Sequence, residues 1–210
     1  MGIASRKRAP VSAEGMPATD GRVRRSERSR EAIVGALFDL IGAGQLQPTA
    51  QQVADRAGVG IRSVFRHFSE METLYRAMDA RLEGEAIRLL TVPSEGGTPA
   101  ARVRALVRQR VALFERIAPY KRAANLIRWR SAFLQQRHLR MRRVLREDLL
   151  ARLPELRRAP AAELEAIDLL TSFESWDGLR NDRRLAVKAA AAVVERAVLA
   201  LVARPGGRGR

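Results

Sequence analysis

Residues 49–68 read Thr-Ala-Gln-Gln-Val-Ala-Asp-Arg-Ala-Gly-Val-Gly-Ile-Arg-Ser-Val-Phe-Arg-His-Phe. Thr49 to Gln52 is a capping box, in which the Thr49 hydroxyl takes the Gln52 backbone N–H and the Gln52 side chain reaches back. Val53, Ala54 and Ala57 give the short helix that follows an apolar side, and Gly58 closes it. A second short helix runs from about Gly60 to Arg66 and is held by Val59 and Val64. Two short helices around a glycine turn are a helix-turn-helix candidate, with small residues at the crossing so that the second helix can project into a DNA major groove. Hairpins of this kind occur in many folds, so the surrounding chain has to decide.

Working outward, a helical period begins at Ser26 with Ile33, Leu37, Phe38 and Ile41, and Gly42-Ala43-Gly44 ends it. Downstream, Ser69-Glu70-Met71-Glu72 is a second capping box ahead of Leu74, Met78 and Leu82. Val92 to Gly97 is a break, and Thr98-Pro99 is a cap with proline at the first helical position. Val103, Leu106, Val107, Val111, Phe114 and Ile117 then make a helix expected to stop before Pro119. Further helices are expected over residues 120–129, 131–153 and from Pro160 to about Leu179. Asn181 or Asp182 is expected to cap a last one carrying Val193, Val194, Ala197, Val198, Leu201 and Val202. Alternating strand patterns and internal repeats are absent. The expected fold is all-α with about nine helices. A flexible basic arm over 1–24 precedes a three-helix helix-turn-helix domain over 25–70. A helical effector-binding and dimerisation domain over 71–205 and a disordered tail over 206–210 complete the chain.

The 210 residues carry 39 Lys plus Arg against 23 Asp plus Glu, a net charge of +16, so a polyanionic partner comes to mind. The basic residues are 36 Arg and 3 Lys, which with so much Ala also reflects a compositional bias. By segment the net charge is +5 over residues 1–30, −1 over 31–76, −2 over 77–99, +13 over 100–160 and +1 over 161–210. The excess therefore lies in the arm and a central block. The helix-turn-helix itself must act through a few placed side chains. No cysteine is present, which excludes disulfides, thiolate metal sites and a cysteine nucleophile. His67 and His138 are the two histidines, too few for a histidine-based metal or general-base centre. No nucleophile, base or metal constellation appears, so an enzyme is not expected and no cofactor is implied. No apolar run nears the ~20 residues a membrane span needs, and the first thirty residues lack a signal-peptide core, so a cytoplasmic protein with no membrane association is expected.

The wider string resembles the tetracycline-repressor (TetR) family over residues 26–76, on Thr49 to Val59, then Ser63-Val64-Phe65-Arg66-His67-Phe68, then Glu72-Thr73-Leu74. The resemblance implies a homodimer, most often a repressor, that binds a palindromic operator in double-stranded DNA and releases it when a small molecule enters the C-terminal domain. It implies a phosphate contact for Thr49 and a backbone contact for His67. Phe65 stands where the family has Tyr, keeping the ring's packing on the sugar-phosphate and losing the hydroxyl's bond. Met71 stands where the family has Lys, so one charged phosphate contact is missing. Gly60 replaces a Ser or Thr cap and Arg62 a common Gly. Arg62 at the head of the recognition helix suits a bidentate contact to guanine. Ile61 and Ser63 are further candidates for base edges, and Arg66 for base or phosphate. Arg22, Arg24, Arg25, Arg28 and Arg30 are expected to reinforce DNA contact from the arm.

In the C-terminal half the large residues available to an unknown small-molecule effector are Phe114, Trp129, Phe133, Phe173 and Trp176, each of which also suits ordinary core. His138 sits in a polar run and reads as solvated. The last helix, so rich in Ala, Val and Leu, must be covered on more than one flank. The dimer candidates are Phe173, Val193, Val194, Ala197, Val198 and Leu201. A helical DNA- or partner-binding dimer without an effector is the alternative.

Overall fold

The computed structural model describes residues 18–90 and 96–203, with side chains from Gly21 onward. Residues 1–17 of the expected arm, most of the expected break after Val92 and the expected tail lie outside the described residues. The described chain is all-α: nine α-helices and no strand.

Helix α1 (Ala18–Gly42) starts eight residues before the expected Ser26, so Arg22 to Arg30 are helical. It ends where Gly44, at φ 96°, donates to the Ile41 carbonyl. Helices α2 (Ala50–Ala57) and α3 (Ile61–His67) follow. Helix α4 (Met71–Leu90) buries Leu74, Tyr75, Met78, Leu82 and Ala86 along one face, and its first turn pairs Glu72 with Arg76 at 2.7 Å.

Helix α5 runs unbroken from Pro99 to Ile127, correcting the expected stop at Pro119. A proline inside a helix removes one backbone bond and costs about 3 kcal/mol. Here Ile117, Ala118, Tyr120 and Ala123 are buried on both sides of it, and that packing outweighs the loss. Trp129 consequently falls in a short 3-10 turn, Arg128–Arg130, and Ser131 caps α6 (Ala132–Arg152) by accepting the Leu134 N–H at 3.2 Å.

The helix expected from Pro160 to Leu179 is broken into α7 (Ala161–Leu170) and α8 (Phe173–Asp177). Thr171 bonds back to the Ile167 carbonyl through its hydroxyl at 2.8 Å, and Ser172 caps the next helix at the Ser175 N–H. Asn181 and Asp182 lie in a π-type turn, Gly178–Asp182, and do not cap α9 (Val187–Val202), which starts with Ala186 at its N-cap.

The buried side chains form two clusters. The first joins α1 to α4 and also takes in Tyr120 and Ala123 of α5. The second packs α5, α6, α7 and α9 around Leu106, Leu113, Phe114, Leu149, Ile167 and Val198. Helix α5 thus belongs to both.

Candidate nucleic-acid interface and effector cleft

The helix-turn-helix is built by its caps. Thr49 accepts the Gln52 N–H at 3.3 Å, and its own N–H donates to Gln52 Oε1 at 2.8 Å, closing the capping box. Gly58 at φ 65° and ψ 33° turns the chain, while the Val59 N–H returns to the Ala54 carbonyl at 3.1 Å. Gly60, at the N-cap of α3, has no side chain to cap with. Val53, Ala54, Val64 and Phe68 are buried and fix α2 and α3 against α1.

That packing decides what α3 shows to solvent. Ile61, Arg62, Phe65 and Arg66 are exposed, Ser63 is half-buried, and the Phe65 ring is 51% exposed. A large aromatic with half its surface in water, next to Arg66 and one helical turn from Arg62, is a surface in search of a partner. The Arg66 guanidinium stands 3.5 Å from Ser63 Oγ. His67 is half-buried, and its Nε2 is enclosed without a hydrogen-bond partner. Burial, then Arg66 and Arg30, lower its pKa, so the imidazole is neutral at pH 7 and one ring N–H can donate. The Arg30 guanidinium lies 5.3 Å above the Phe68 ring and ties α1 to the end of α3. Arg24 and Arg28 share one side of α1, with Arg28 Nε donating to the Arg24 carbonyl at 3.3 Å, and Arg25 is exposed beside them.

In the second half, a cleft with about 680 Å³ of free space, part of it open to solvent, lies between α4, α5 and α6. Met78, Leu82, Ile117, Leu134 and Met141 line it, together with Tyr120, Lys121, Asn125, Arg128, Arg137 and His138. An adjoining cleft toward α7 and α8 shares Lys121, Arg128, His138 and Met141 and is bordered by Phe173.

None of the five expected pocket aromatics lines the main cleft. Phe114 and Phe173 meet edge to face, 5.7 Å apart, inside the second cluster. Trp176 is buried there too, its indole N–H donating to Glu115 Oε1 at 2.9 Å. Trp129 is 74% exposed, because the 3-10 turn swings it away from the helices. Phe133 lies on the outer side of α6 under the Arg76 guanidinium, 4.1 Å away. His138, read as solvated, is instead tucked into the cleft with Nδ1 2.8 Å from Lys121 Nζ. Composition and periodicity pointed to aromatics; the polar cleft residues carried no signal, since α5 and α6 bring them together only on packing.

Of the expected dimer residues, Phe173, Val194 and Val198 are buried within the chain itself. Ala197 and Leu201 are half-buried, and Val193 is 45% exposed. The reason is the stripe Ala190, Val194 and Val198, which α9 turns inward.

The fold has a solved counterpart. The crystal structure of a transcriptional regulator from Rhodococcus sp. Rha1 is similar with a TM-score of 0.64 and 21% sequence identity, covering 83% of this chain and 96% of that chain. No protein-family model and no curated protein matches the chain. Among the described residues no helix is long and apolar enough to cross a membrane.

Proposed function

We propose that this chain is a cytoplasmic, dimeric transcriptional repressor that binds a palindromic operator through α3 and releases it when a small molecule occupies the cleft between α4, α5 and α6. The observation that carries the reading is the exposed face of α3, with Arg62, Phe65 and Arg66 presented by a helix-turn-helix whose cap and glycine turn are formed. The likeness to the Rhodococcus regulator and the resemblance of residues 26–76 to the tetracycline-repressor family support it. Thr49, Gly60, Ile61, Ser63 and His67 surround that face, and Arg24, Arg25 and Arg28 add charge from α1.

Dimerisation is assigned to the outer stripe of α9. Ala189, Ala192, Val193, Arg196 and Ala200 are exposed on it, and Leu169 of α7 is 62% exposed. Small side chains at this spacing allow close approach of two helices, and a two-fold pair would set its recognition helices about 34 Å apart.

Selection of bound sequences from a random DNA pool tests the reading. A palindromic consensus that is lost with Arg62→Ala supports it. Binding without a consensus, abolished by salt alone, overturns it.

A further inference from the structure

The main cleft has a built polar end whose charges are not balanced by the protein. Lys121 and Asn125 stand one turn apart on α5, and Arg128, its C-cap and the first residue of the 3-10 turn, lines the same cleft. Arg137 of α6 is neutralised by Asp79 of α4, with Nε 2.5 Å from Oδ2. Lys121 and Arg128 have no such partner among the described residues. Among the described residues the Lys121 ammonium has one hydrogen-bonding neighbour, His138 Nδ1, a neutral acceptor at 2.8 Å. Arg128 Nη1 and Asn125 Oδ1 are enclosed with no hydrogen-bond partner among the described residues. The acidic groups that act on Lys121 are Glu174, a half-exposed carboxylate at the rim 3.9 Å from His138 Nδ1, and Asp79, which Arg137 already engages. Burial pushes the Lys121 ammonium down to about 8 and the His138 imidazole down to about 4, the response of groups short of a compensating anion. Leaving a charge or a polar atom buried and unpaired is costly, and an anion seated among these groups removes that cost.

The rest of the wall is apolar: Met78, Leu82, Ile117, Leu134 and Met141. Two unbranched methionines at a binding surface suit a flexible or variable apolar group. A ligand for this site has one negative head and a hydrophobic body.

We infer that the cleft binds a small amphipathic monocarboxylate, with its carboxylate between Lys121 and Arg128 and its apolar part against Met78, Leu82, Ile117 and Met141. This rests on reading the cleft as the effector site and deepens it by naming the ligand class. The cationic corner rejects an amine of the same shape, and a neutral alcohol leaves the two charges unpaired.

The test uses the full chain without DNA. Calorimetric titrations with octanoate and 2-naphthoate are compared with 1-octanol and octylamine. The expected result is that octanoate binds at least tenfold more tightly than octanol, that octylamine does not bind, and that Lys121→Met or Arg128→Gln weakens octanoate at least tenfold while leaving octanol unchanged. Either variant serves if the other does not fold. Equal binding of acid and alcohol, preference for the amine, or no binding by either carboxylate at millimolar concentration overturns the inference. A second titration on operator DNA separates the two readings. Carboxylate binding that leaves DNA affinity unchanged sinks the effector role and keeps the ligand class. Release by a neutral compound alone does the reverse.

Discussion

The ring of Tyr120 on α5 lies against that of Phe38 on α1, with centroids 4.1 Å apart and planes tilted by 36°. Tyr120 also borders the main cleft, and its hydroxyl lies 3.2 Å from where a Cβ on Gly42 would stand. One side chain therefore touches both the cleft and the helix that carries the helix-turn-helix. The ring thus packs α5 against the N-terminal core. Tyr120→Ala is expected to cost about 3–5 kcal/mol, the range for deleting a buried aromatic. Urea unfolding followed by circular dichroism measures it. A loss below about 1 kcal/mol would show that the ring holds nothing together.

Gly58 tests the turn. Its φ of 65° is left-handed, and a Cβ there would meet nothing within 4 Å. The cost of Gly58→Ala is thus conformational alone, about 1 kcal/mol, and Gly58→Asn should cost less because Asn tolerates this region. Thermal unfolding of both variants ranks them. A steric explanation would predict the opposite order, with the larger Asn worse.

Much of this half of the molecule was legible in the sequence. Thr49 and Gln52, or Ala54 and Gly58, interact over three or four residues, so local chemistry specifies them. Pro119 misled because the rule against proline in a helix interior is local, while Ala118, Tyr120 and Ala123 answer to distant partners. The aromatics show a similar limit: Phe114 and Trp176 are large enough for a ligand site and equally suited to fill a core, and they lie in the second buried cluster. Lys121 and His138, seventeen residues apart, meet only because α5 and α6 pack together, and nothing in the spacing shows it.

A buried ion cluster gives the third prediction. Arg110 and Arg152, both nearly inaccessible, share Asp148, at 3.0 Å and 2.9 Å. The Arg110 guanidinium also donates to the Leu145 carbonyl at 2.7 Å. Asp148→Ala removes the carboxylate that the buried Arg110 is paired with and should cost about 3–5 kcal/mol, whereas an exposed pair such as Arg56 with Asp39 should cost under about 1 kcal/mol when broken. Chemical denaturation of Asp148→Ala and Asp39→Ala compares the two directly; similar losses would contradict the difference in burial.

The cleft also sets a pH dependence. Burial first, then Lys121 and Arg128, hold His138 at about 4, with Glu174 opposing and Arg142 adding to the fall. Its unfolded value is near 6.5, so between roughly pH 6.5 and 4 the unfolded chain binds a proton that the folded chain does not. Stability contributed by His138 is complete above that window and lost as pH falls through it. His138→Gln should flatten the decline in Tm between pH 7 and pH 4.5. An identical decline in both proteins would show that other groups set it.

Helix α5, about 43 Å long at 1.5 Å per residue, contributes Val103 to Ala118 to one interior and Tyr120 and Ala123 to the other. Among the described residues the two interiors therefore share one helix and do not come apart at a single peptide. A scission anywhere between residues 70 and 120 would strip the N-terminal half of part of its own filling. Grafting the N-terminal half onto another protein would require helix α5 to travel with it.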